Sequence, residues 1–303
     1  MAVFNSERTF GVEIEVTTRR HAETIARQIN AVFHNRGINQ SCEAQRYNHN
    51  TQPIWKIVPD GSVRGWEIVS PPMKGLEAKA QISAVCKALV DLDCRVDRTT
   101  GLHVHHDANN LSGQAIGSAF ALYATNHDVI DMMLAPSRRR AMYAQRFSVR
   151  NLLNEGGNRG YDRAPITDGF KNNTWGEARD KVSSNLRSRY FSMNVQAMYD
   201  HGTIEFRQHQ GTLDAEKIWN WILFTQAIIE ASTEAKQFPK ASKIGSKGAF
   251  NNLYGKLRVS ANYNNGNPDS EIYVKALKFM NKRFQFFCQQ AHMNPKTMTV
   301  EIR

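Results

Sequence analysis

Two kinds of hydrophobic periodicity alternate along the chain. In short segments every second residue is apolar, which is typical of a strand with one buried face; in longer segments apolar residues recur at three and four positions, as on an amphipathic helix. The first pattern predicts strands over residues 11–16, 54–58, 66–72, 101–107, 190–195 and 203–207. The second predicts helices over residues 19–36, 75–92, 112–134, 214–235 and 271–291. This order of elements indicates an α+β fold.

Turn and cap residues mark several boundaries. Ser112 is a suitable N-cap for the third helix, and Pro136 follows the end of that helix. Asp60 and Gly61 lie between two β-rich runs, which predicts a hairpin. Residues 155–174 are expected to form a long loop, either a lid or a disordered segment, and residues 242–269 a solvated loop or, less favoured, a nucleic-acid contact. A short strand is predicted over residues 298–303.

The polar faces of four predicted strands carry ionisable groups: Glu13 and Glu15, Glu67, His103 and His105, and Glu205 and Arg207. Neighbouring carboxylates raise each other's pKa unless a cation neutralises them, and a divalent metal with oxygen ligands can do so. Each segment alone is equally compatible with a solvated strand face. Because the pattern recurs, we predict one curved, mainly antiparallel sheet. Its concave face would collect these groups and its convex face would be covered by helices.

The amino-acid composition indicates which kinds of binding partner and which cellular location to expect. The formal net charge of +11 favours an acidic partner, such as nucleotide phosphates, nucleic acid or an anionic substrate, although basic residues also serve solubility. The four cysteines are scattered, which argues against a thiolate metal site and favours a reduced, cytoplasmic location. No apolar run reaches the length of a membrane span, and the first residues do not resemble a signal peptide, so no membrane partner is predicted.

A cluster of arginines follows the third predicted helix: Arg138, Arg139, Arg140 and Arg146. Guanidinium groups bind phosphate and carboxylate in a bidentate manner, so these residues are candidates for phosphate binding. The alternative is a basic segment that is simply solvated. From this cluster we predict Arg138 and Arg146 as contacts to the nucleotide.

Four motifs, in this order, resemble the amidoligase family. They are GVEIEV at residues 11–16, WKIVPDGSV with GWEIVSPP within residues 55–72, GLHVHHD at residues 101–107, and TIEFRQHQGTLD at residues 203–214. That family belongs to the carboxylate–amine ligases that share the catalytic fold of glutamine synthetase and glutamate–cysteine ligase. The resemblance covers residues 8–230. It implies a single catalytic domain over residues 1–303, with residues 236–303 as a C-terminal loop and helix extension.

The resemblance also implies roles for individual residues. It implies metal ligands at Glu13, Glu15, Glu67, His103 and Glu205. His105 resembles the phosphate-side neighbour of the metal histidine, and Arg207 resembles the arginine that meets the transferred phosphate. Glutamine synthetase uses one further carboxylate, for which Asp60 is the candidate here.

The implied reaction is ATP-dependent amide formation with Mg²⁺ or Mn²⁺. A substrate carboxylate is phosphorylated to an acyl phosphate, and an amine then displaces the phosphate; either substrate can be a group on a macromolecule. Two alternatives use the same residues differently. One is a metal-dependent phosphohydrolase, because the same ligands would activate water. The other is a basic nucleic-acid-binding protein with a non-catalytic metal site.

Overall fold

The computed structural model describes residues 7–139, 141–147, 189–194, 196–233, 249–260, 268–296 and 298. The chain divides into two compact units. The first unit comprises Ser6–His106 and His209–Ile222, and the second comprises the described residues of Asp107–Gln208 and Leu223–Arg303. The single-domain organisation expected from the sequence remains a prediction.

The first unit is built on strands that follow the predicted alternation. These strands are β1 (Phe10–Thr17), β2 (Cys42–Ala44), β3 (Trp55–Pro59), β4 (Gly65–Val69) and β5 (Gly101–Asp107), in the order β2-β3-β4-β1-β5. The pairs β1–β4, β1–β5 and β3–β4 are antiparallel, whereas β2 pairs with β3 in parallel. The expected hairpin and the mainly antiparallel pairing are therefore confirmed, while curvature of the sheet stays a prediction.

One face of this sheet is apolar and lies under two helices. Side chains alternate between faces, so Ile14 of β1 stacks beside Ile68 of β4 and Leu102 of β5, and all three are fully buried. Helix α1 (Ala22–Asn35) packs against β2, β3 and helix α2 (Glu77–Asp91). Because the apolar face is buried, the polar side chains of the same strands lie on the opposite face.

The remaining elements follow residue 107, and the segment His209–Ile222 among them belongs to the first unit. They are α3 (Gly113–Thr125), α4 (His127–Asp131), β6 (Met193–Asn194), α5 (Ala197–Asp200), β7 (Thr203–Gln210), α6 (Ala215–Thr233), α7 (Ala249–Ser260) and α8 (Pro268–Gln290). Strands β6 and β7 pair in antiparallel fashion. The Tyr123 ring lies 5.5 Å from Phe206 of β7 and 6.2 Å from Phe147, centroid to centroid. These rings hold α3 against β7.

The prediction of one helix over residues 112–134 was wrong in part. Ser112 caps α3 as expected, because its hydroxyl accepts a hydrogen bond from the Ala115 N–H. However, the helix stops at Asn126 and restarts as α4, since the Asn126 side chain donates to the Leu122 carbonyl and breaks the regular ladder. The break contains no glycine or proline, so it could not be predicted from breaker residues in the sequence.

The segment expected to be a solvated loop contains a helix instead. Residues 249–260 form α7, although the region is rich in glycine and asparagine. Phe250, Leu253 and Leu257 recur at helical spacing and are buried, so packing outweighs the low helix propensity of the segment. The predicted loop over 155–174 lies outside the described residues, as do the flanks of α7 and most of the predicted terminal strand. Among the described helices, none is long and apolar enough to cross a membrane.

Candidate active site

The strand registers of the first unit bring the predicted metal ligands onto one face, called here the acidic face. Glu13 of β1 lies opposite His103 of β5, and Glu15 of β1 lies opposite Glu67 of β4. Directly paired residues point to the same side of a sheet, so these side chains are neighbours. His105 lies two residues beyond His103 and therefore shares this side. The convergence expected from alternation is confirmed for these residues.

The histidines lie within contact distance of the β1 carboxylates. Nδ1 of His103 is 2.8 Å from Oε2 of Glu13, and its Nε2 is 3.5 Å from Oε1 of Glu15. Nε2 of His105 is 3.3 Å from Oε1 of Glu13. Burial by itself raises the pKa of Glu13, but the charge of His105 and the hydrogen bonds from both histidines hold that pKa well below its usual value. Glu13 is therefore ionised on the acidic face.

Glu67 has the opposite electrostatic balance. Burial raises its pKa well above the usual value, and the negative charges of Glu13, Asp60 and Glu15 raise it further. A hydrogen bond with Glu13 also favours the protonated form of Glu67. The acidic face thus holds more carboxylates than its own cationic groups can neutralise, and a proton on Glu67 relieves the excess.

Donor atoms on this face form two clusters that share Glu67. One contains atoms from Glu13, Glu67 and His103, and the other contains atoms from Glu15, Asp60 and Glu67. Within each cluster the donor atoms lie within 4.8 Å of one another. The position of Asp60 is compatible with its candidacy as the additional carboxylate, since it is far from Glu15 in sequence but clusters with Glu15 and Glu67 in space.

The donor set fits a hard divalent cation. Carboxylate oxygens with one imidazole are ligands that Mg²⁺ and Mn²⁺ accept, whereas zinc structural sites prefer thiolates and more imidazoles. All four cysteines are buried and free, and burial raises the thiol pKa of Cys42 and Cys86 to about 12, so these thiols are poor metal ligands. The excess negative charge around Glu67 is the feature that a cation would neutralise.

A backbone contact completes the position of Glu15. The N–H of Gly101 donates to Oε2 of Glu15 at 2.6 Å, which orients this buried carboxylate at the start of β5. This contact could not be predicted from the sequence, because the two residues are brought together only by the β1–β5 register.

Glu205 and Arg207 lie on β7 in the second unit. Glu205 is buried, accepts a hydrogen bond from Nδ2 of Asn194 at 2.6 Å, and forms an ion pair with Arg207. Nε of Arg207 also donates to the carbonyl of Tyr143 at 3.3 Å. Both side chains share one face of β7, as predicted from alternation. The contact between Asn194 and Glu205 was not predicted from the sequence.

The two arginines predicted to contact the nucleotide bind groups of the protein itself. Arg138 is buried and donates to the carbonyls of Arg207 and Gln208, at 2.8 and 3.4 Å. Arg146 forms ion pairs with Asp131 and, at 2.7 Å, with Asp128. A role for either guanidinium in phosphate binding remains a prediction.

Comparison with known proteins places these residues in context. A family model described as "Putative amidoligase enzyme" matches residues 6–229. No curated protein matches the sequence. Among solved structures, the crystal structure of the complex between Prokaryotic Ubiquitin-like Protein Pup and its ligase PafA contains a similar chain, with 11% identity and a TM-score of 0.43. The similarity covers 95% of this chain but 65% of that chain, so this chain spans less than two thirds of its length.

Proposed function

The chain belongs to the amidoligase family, and from that premise we propose that it is an ATP-dependent carboxylate–amine ligase that forms an amide bond through an acyl phosphate. One observation carries the proposal: the acidic face gathers carboxylates from separate strands around a shared Glu67, whose pKa is raised by burial and then by the charges of those neighbours. Buried carboxylates without a compensating partner destabilise a fold, and a bound cation would supply that partner.

We assign the metal ligands from the two clusters. Glu13, Glu67 and His103 would hold one divalent cation, and Glu15, Asp60 and Glu67 would hold a second. Mg²⁺ or Mn²⁺ bound there would neutralise phosphate oxygens of ATP. Glu205 is a further candidate ligand, as the family resemblance implies. The Gly101 N–H holds Oε2 of Glu15, and Oε1 of Glu15 lies 3.5 Å from Nε2 of His103, so the two predicted ligands Glu15 and His103 are neighbours.

The chemistry requires an activated carboxyl group, because a carboxylate is a poor electrophile. An oxygen of the substrate carboxylate attacks the γ-phosphorus, the bond from that phosphorus to the bridging oxygen breaks, and ADP leaves. The amine then attacks the acyl carbon, loses a proton, and displaces inorganic phosphate. Arg207 would offset negative charge that develops on the transferred phosphoryl group, and His105 would donate a hydrogen bond to a phosphate oxygen.

Arg138 and Arg146 would act on phosphate indirectly. Arg138 binds the backbone carbonyls of Arg207 and Gln208, so it fixes the strand that presents the Arg207 guanidinium. Arg146 binds Asp131, whose carboxylate also accepts a hydrogen bond from Gln208 of the same strand. Both arginines therefore support the position of Arg207.

The proposal is tested by ATP consumption in the presence of Mg²⁺ over pools of amino acids, peptides, polyamines and modified nucleotides. We expect release of ADP and phosphate that depends on one carboxylate and one amine, with a product mass equal to their sum minus water. The Glu67→Gln variant should lose this activity, and the matched variant Glu77→Gln, on the exposed start of α2, should keep it. Phosphate release that needs no amine would indicate a phosphohydrolase instead. Tight, salt-dependent binding of nucleic acid without turnover would indicate the basic binding protein.

A further inference from the structure

Lys56 is a buried lysine on the acidic face that the proposed chemistry does not use. It lies on β3 opposite Val69 of β4, which in turn lies opposite Glu13 of β1. Paired residues share a side of the sheet, so Lys56 and Glu13 point to the same side, about 10 Å apart across two strand spacings. The Lys56 side chain is only 4% exposed. Burial lowers its pKa, and the charges of Glu13 and Glu67 partly oppose that effect, which is evidence that this ammonium lies near the carboxylates.

The ammonium of Lys56 is held by one loop. Nζ donates to the carbonyl of Asn48 at 3.2 Å, to Oδ1 of Asn48 at 2.9 Å and to the carbonyl of Asn50 at 2.8 Å. An ammonium has three protons, so these acceptors satisfy it. Because Lys56 projects from the acidic face, the loop that accepts its hydrogen bonds must lie over that face at β3.

The loop is ordered by its own amide side chains and is called here the amide loop, residues 45–52. Nε2 of Gln45 donates to Oε1 of Gln52 at 2.7 Å, and Nδ2 of Asn48 donates to Oε1 of Gln45 at 3.1 Å. Its sequence, QRYNHNTQ, contains no aspartate or glutamate. The amide loop, which carries no negative charge, therefore borders the acidic face, which is rich in carboxylates.

Two rings project from the amide loop. The Tyr47 hydroxyl lies 2.7 Å from Nε2 of His49, and the rings are 4.9 Å apart in an edge-to-face arrangement. Both residues are exposed, Tyr47 by 55%. An aromatic pair fixed in one geometry at the surface presents a ring face at low entropic cost, which is the property of a surface that stacks on a nucleobase.

We propose that Lys56 fixes the amide loop above the acidic face and that the ring pair of Tyr47 and His49 stacks on the base of the bound nucleotide. The inference rests on the proposed function, because it takes the nucleotide triphosphate to lie on the carboxylates. The base of ATP is separated from the terminal phosphate by the ribose and the α- and β-phosphates, so the two ends contact different elements. Lys56 is a positioning residue here, and the rings are the recognition surface.

The test separates the two ends of the nucleotide. Calorimetric titrations would measure the affinity for Mg²⁺–ATP and for Mg²⁺–tripolyphosphate, which has no base. We expect Tyr47→Leu and Lys56→Met to weaken Mg²⁺–ATP binding roughly tenfold, the loss of one stacked base, and to leave Mg²⁺–tripolyphosphate binding within about twofold. The matched controls are Tyr199→Leu, at another exposed tyrosine, and Lys87→Met, at an exposed lysine of α2. Both controls should bind the two probes as the parent does.

Hydrogen exchange distinguishes positioning from recognition. Lys56→Met should increase amide exchange within residues 45–52, whereas Tyr47→Leu should not, because the ring is exposed and the hydrogen bonds from Lys56 to the loop are retained. If the parent binds Mg²⁺–ATP and both variants bind it unchanged, the inference about the loop is wrong while the ligase proposal stands. If both variants lose affinity for ATP and tripolyphosphate equally, the loop acts on the metal site and the base contact is wrong. A parent that binds neither probe would overturn both proposals.

Discussion

Buried carboxylates occur in both units, but their surroundings differ. On the acidic face, Glu67 has carboxylates as neighbours, and their charges add to the effect of burial on its pKa. In the second unit, burial raises the pKa of Asp131, but Arg146 and Gln208 donate hydrogen bonds to its oxygens and oppose that shift. Gln208 in turn accepts a hydrogen bond from the Tyr123 hydroxyl at 2.8 Å. Asp131 is therefore compensated by hydrogen bonds from within the protein, whereas Glu67 has other carboxylates as its neighbours.

This difference indicates which carboxylates serve the fold and which serve a ligand. A buried charge with internal partners stabilises the folded state only through those partners, so removing it exposes unpaired groups. A carboxylate that mainly repels its neighbours destabilises the protein without a ligand, so removing it relieves strain. Arg207 is the critical exception, because it has an internal partner, Glu205, and is also expected to meet phosphate.

The largest effect is expected from Arg207→Lys. Lysine keeps the positive charge but lacks the planar fork of donors, so ATP turnover should fall on the order of a hundredfold or more. Thermal stability should change little, since lysine can still pair with Glu205. Turnover assays and melting curves on the same preparations check this. Near-normal turnover with a large loss of stability would assign Arg207 to the structural network, together with Arg146.

A matched pair of amide substitutions tests whether Asp131 stabilises the fold while Glu67 does not. Asp131→Asn should lower the free energy of unfolding by about 2 kcal/mol, because it replaces charged hydrogen bonds to Arg146 and Gln208. Glu67→Gln should instead leave the stability of the metal-free protein equal or higher, because an amide avoids the proton uptake that burial and the charges of Glu13, Asp60 and Glu15 impose on this carboxyl group. Denaturant unfolding of both variants, without added metal, shows whether each substitution lowers or raises the free energy of unfolding. If both variants lose stability equally, the acidic face is as internally satisfied as the Asp131 network.

The pH dependence of the second unit provides a further check. His127 is buried between the rings of Tyr123 and Phe147, and burial, followed by the charge of Arg146, lowers its pKa to about 3 from an ordinary value of 6.5. Between these values the unfolded chain binds a proton that the folded chain does not, so stability falls as the pH decreases. From pH 7 to pH 5 this group should cost roughly 2 kcal/mol. Replacing His127 by Phe should remove that part of the pH dependence; parallel curves for variant and parent would show that His127 is not buried in its neutral form.

The sequence predicted the acidic face because alternation decides which side of a strand each residue occupies. Once the apolar face of each strand was recognised, that rule alone predicted the side of the sheet on which four residues lie: Glu13, Glu15, His103 and His105. Asp60 follows β3 at the hairpin turn that Asp-Gly signals, and it clusters with Glu15 and Glu67. The role of Lys56 was not predicted, because it depends on the register of β3 and on acceptors in a loop whose path no local pattern specifies.

The ion pairs between residues that are distant along the chain could not be predicted from the sequence either. Arg146 was expected to contact a nucleotide, and the structure pairs it with Asp131, fifteen positions earlier, through a turn that periodicity does not describe. Helix α7 is a second feature that the local sequence pattern did not predict. Its asparagines and glycine favour a loop, and only the burial of Phe250, Leu253 and Leu257 stabilises the helix.

The most direct test of the account is whether the acidic face binds Mg²⁺ with ATP. Melting curves of the parent, Glu15→Gln and the control Glu77→Gln would be recorded with and without Mg²⁺–ATP. At a ligand concentration of 100 times Kd, linkage stabilises the parent by about 2.7 kcal/mol, which raises its Tm by roughly 5 °C or more. We predict that Glu77→Gln shows the same increase and that Glu15→Gln, as stable as the parent without ligand, shows much less. Equal increases in all three proteins would contradict the account, because Glu15 would then be an ordinary strand glutamate.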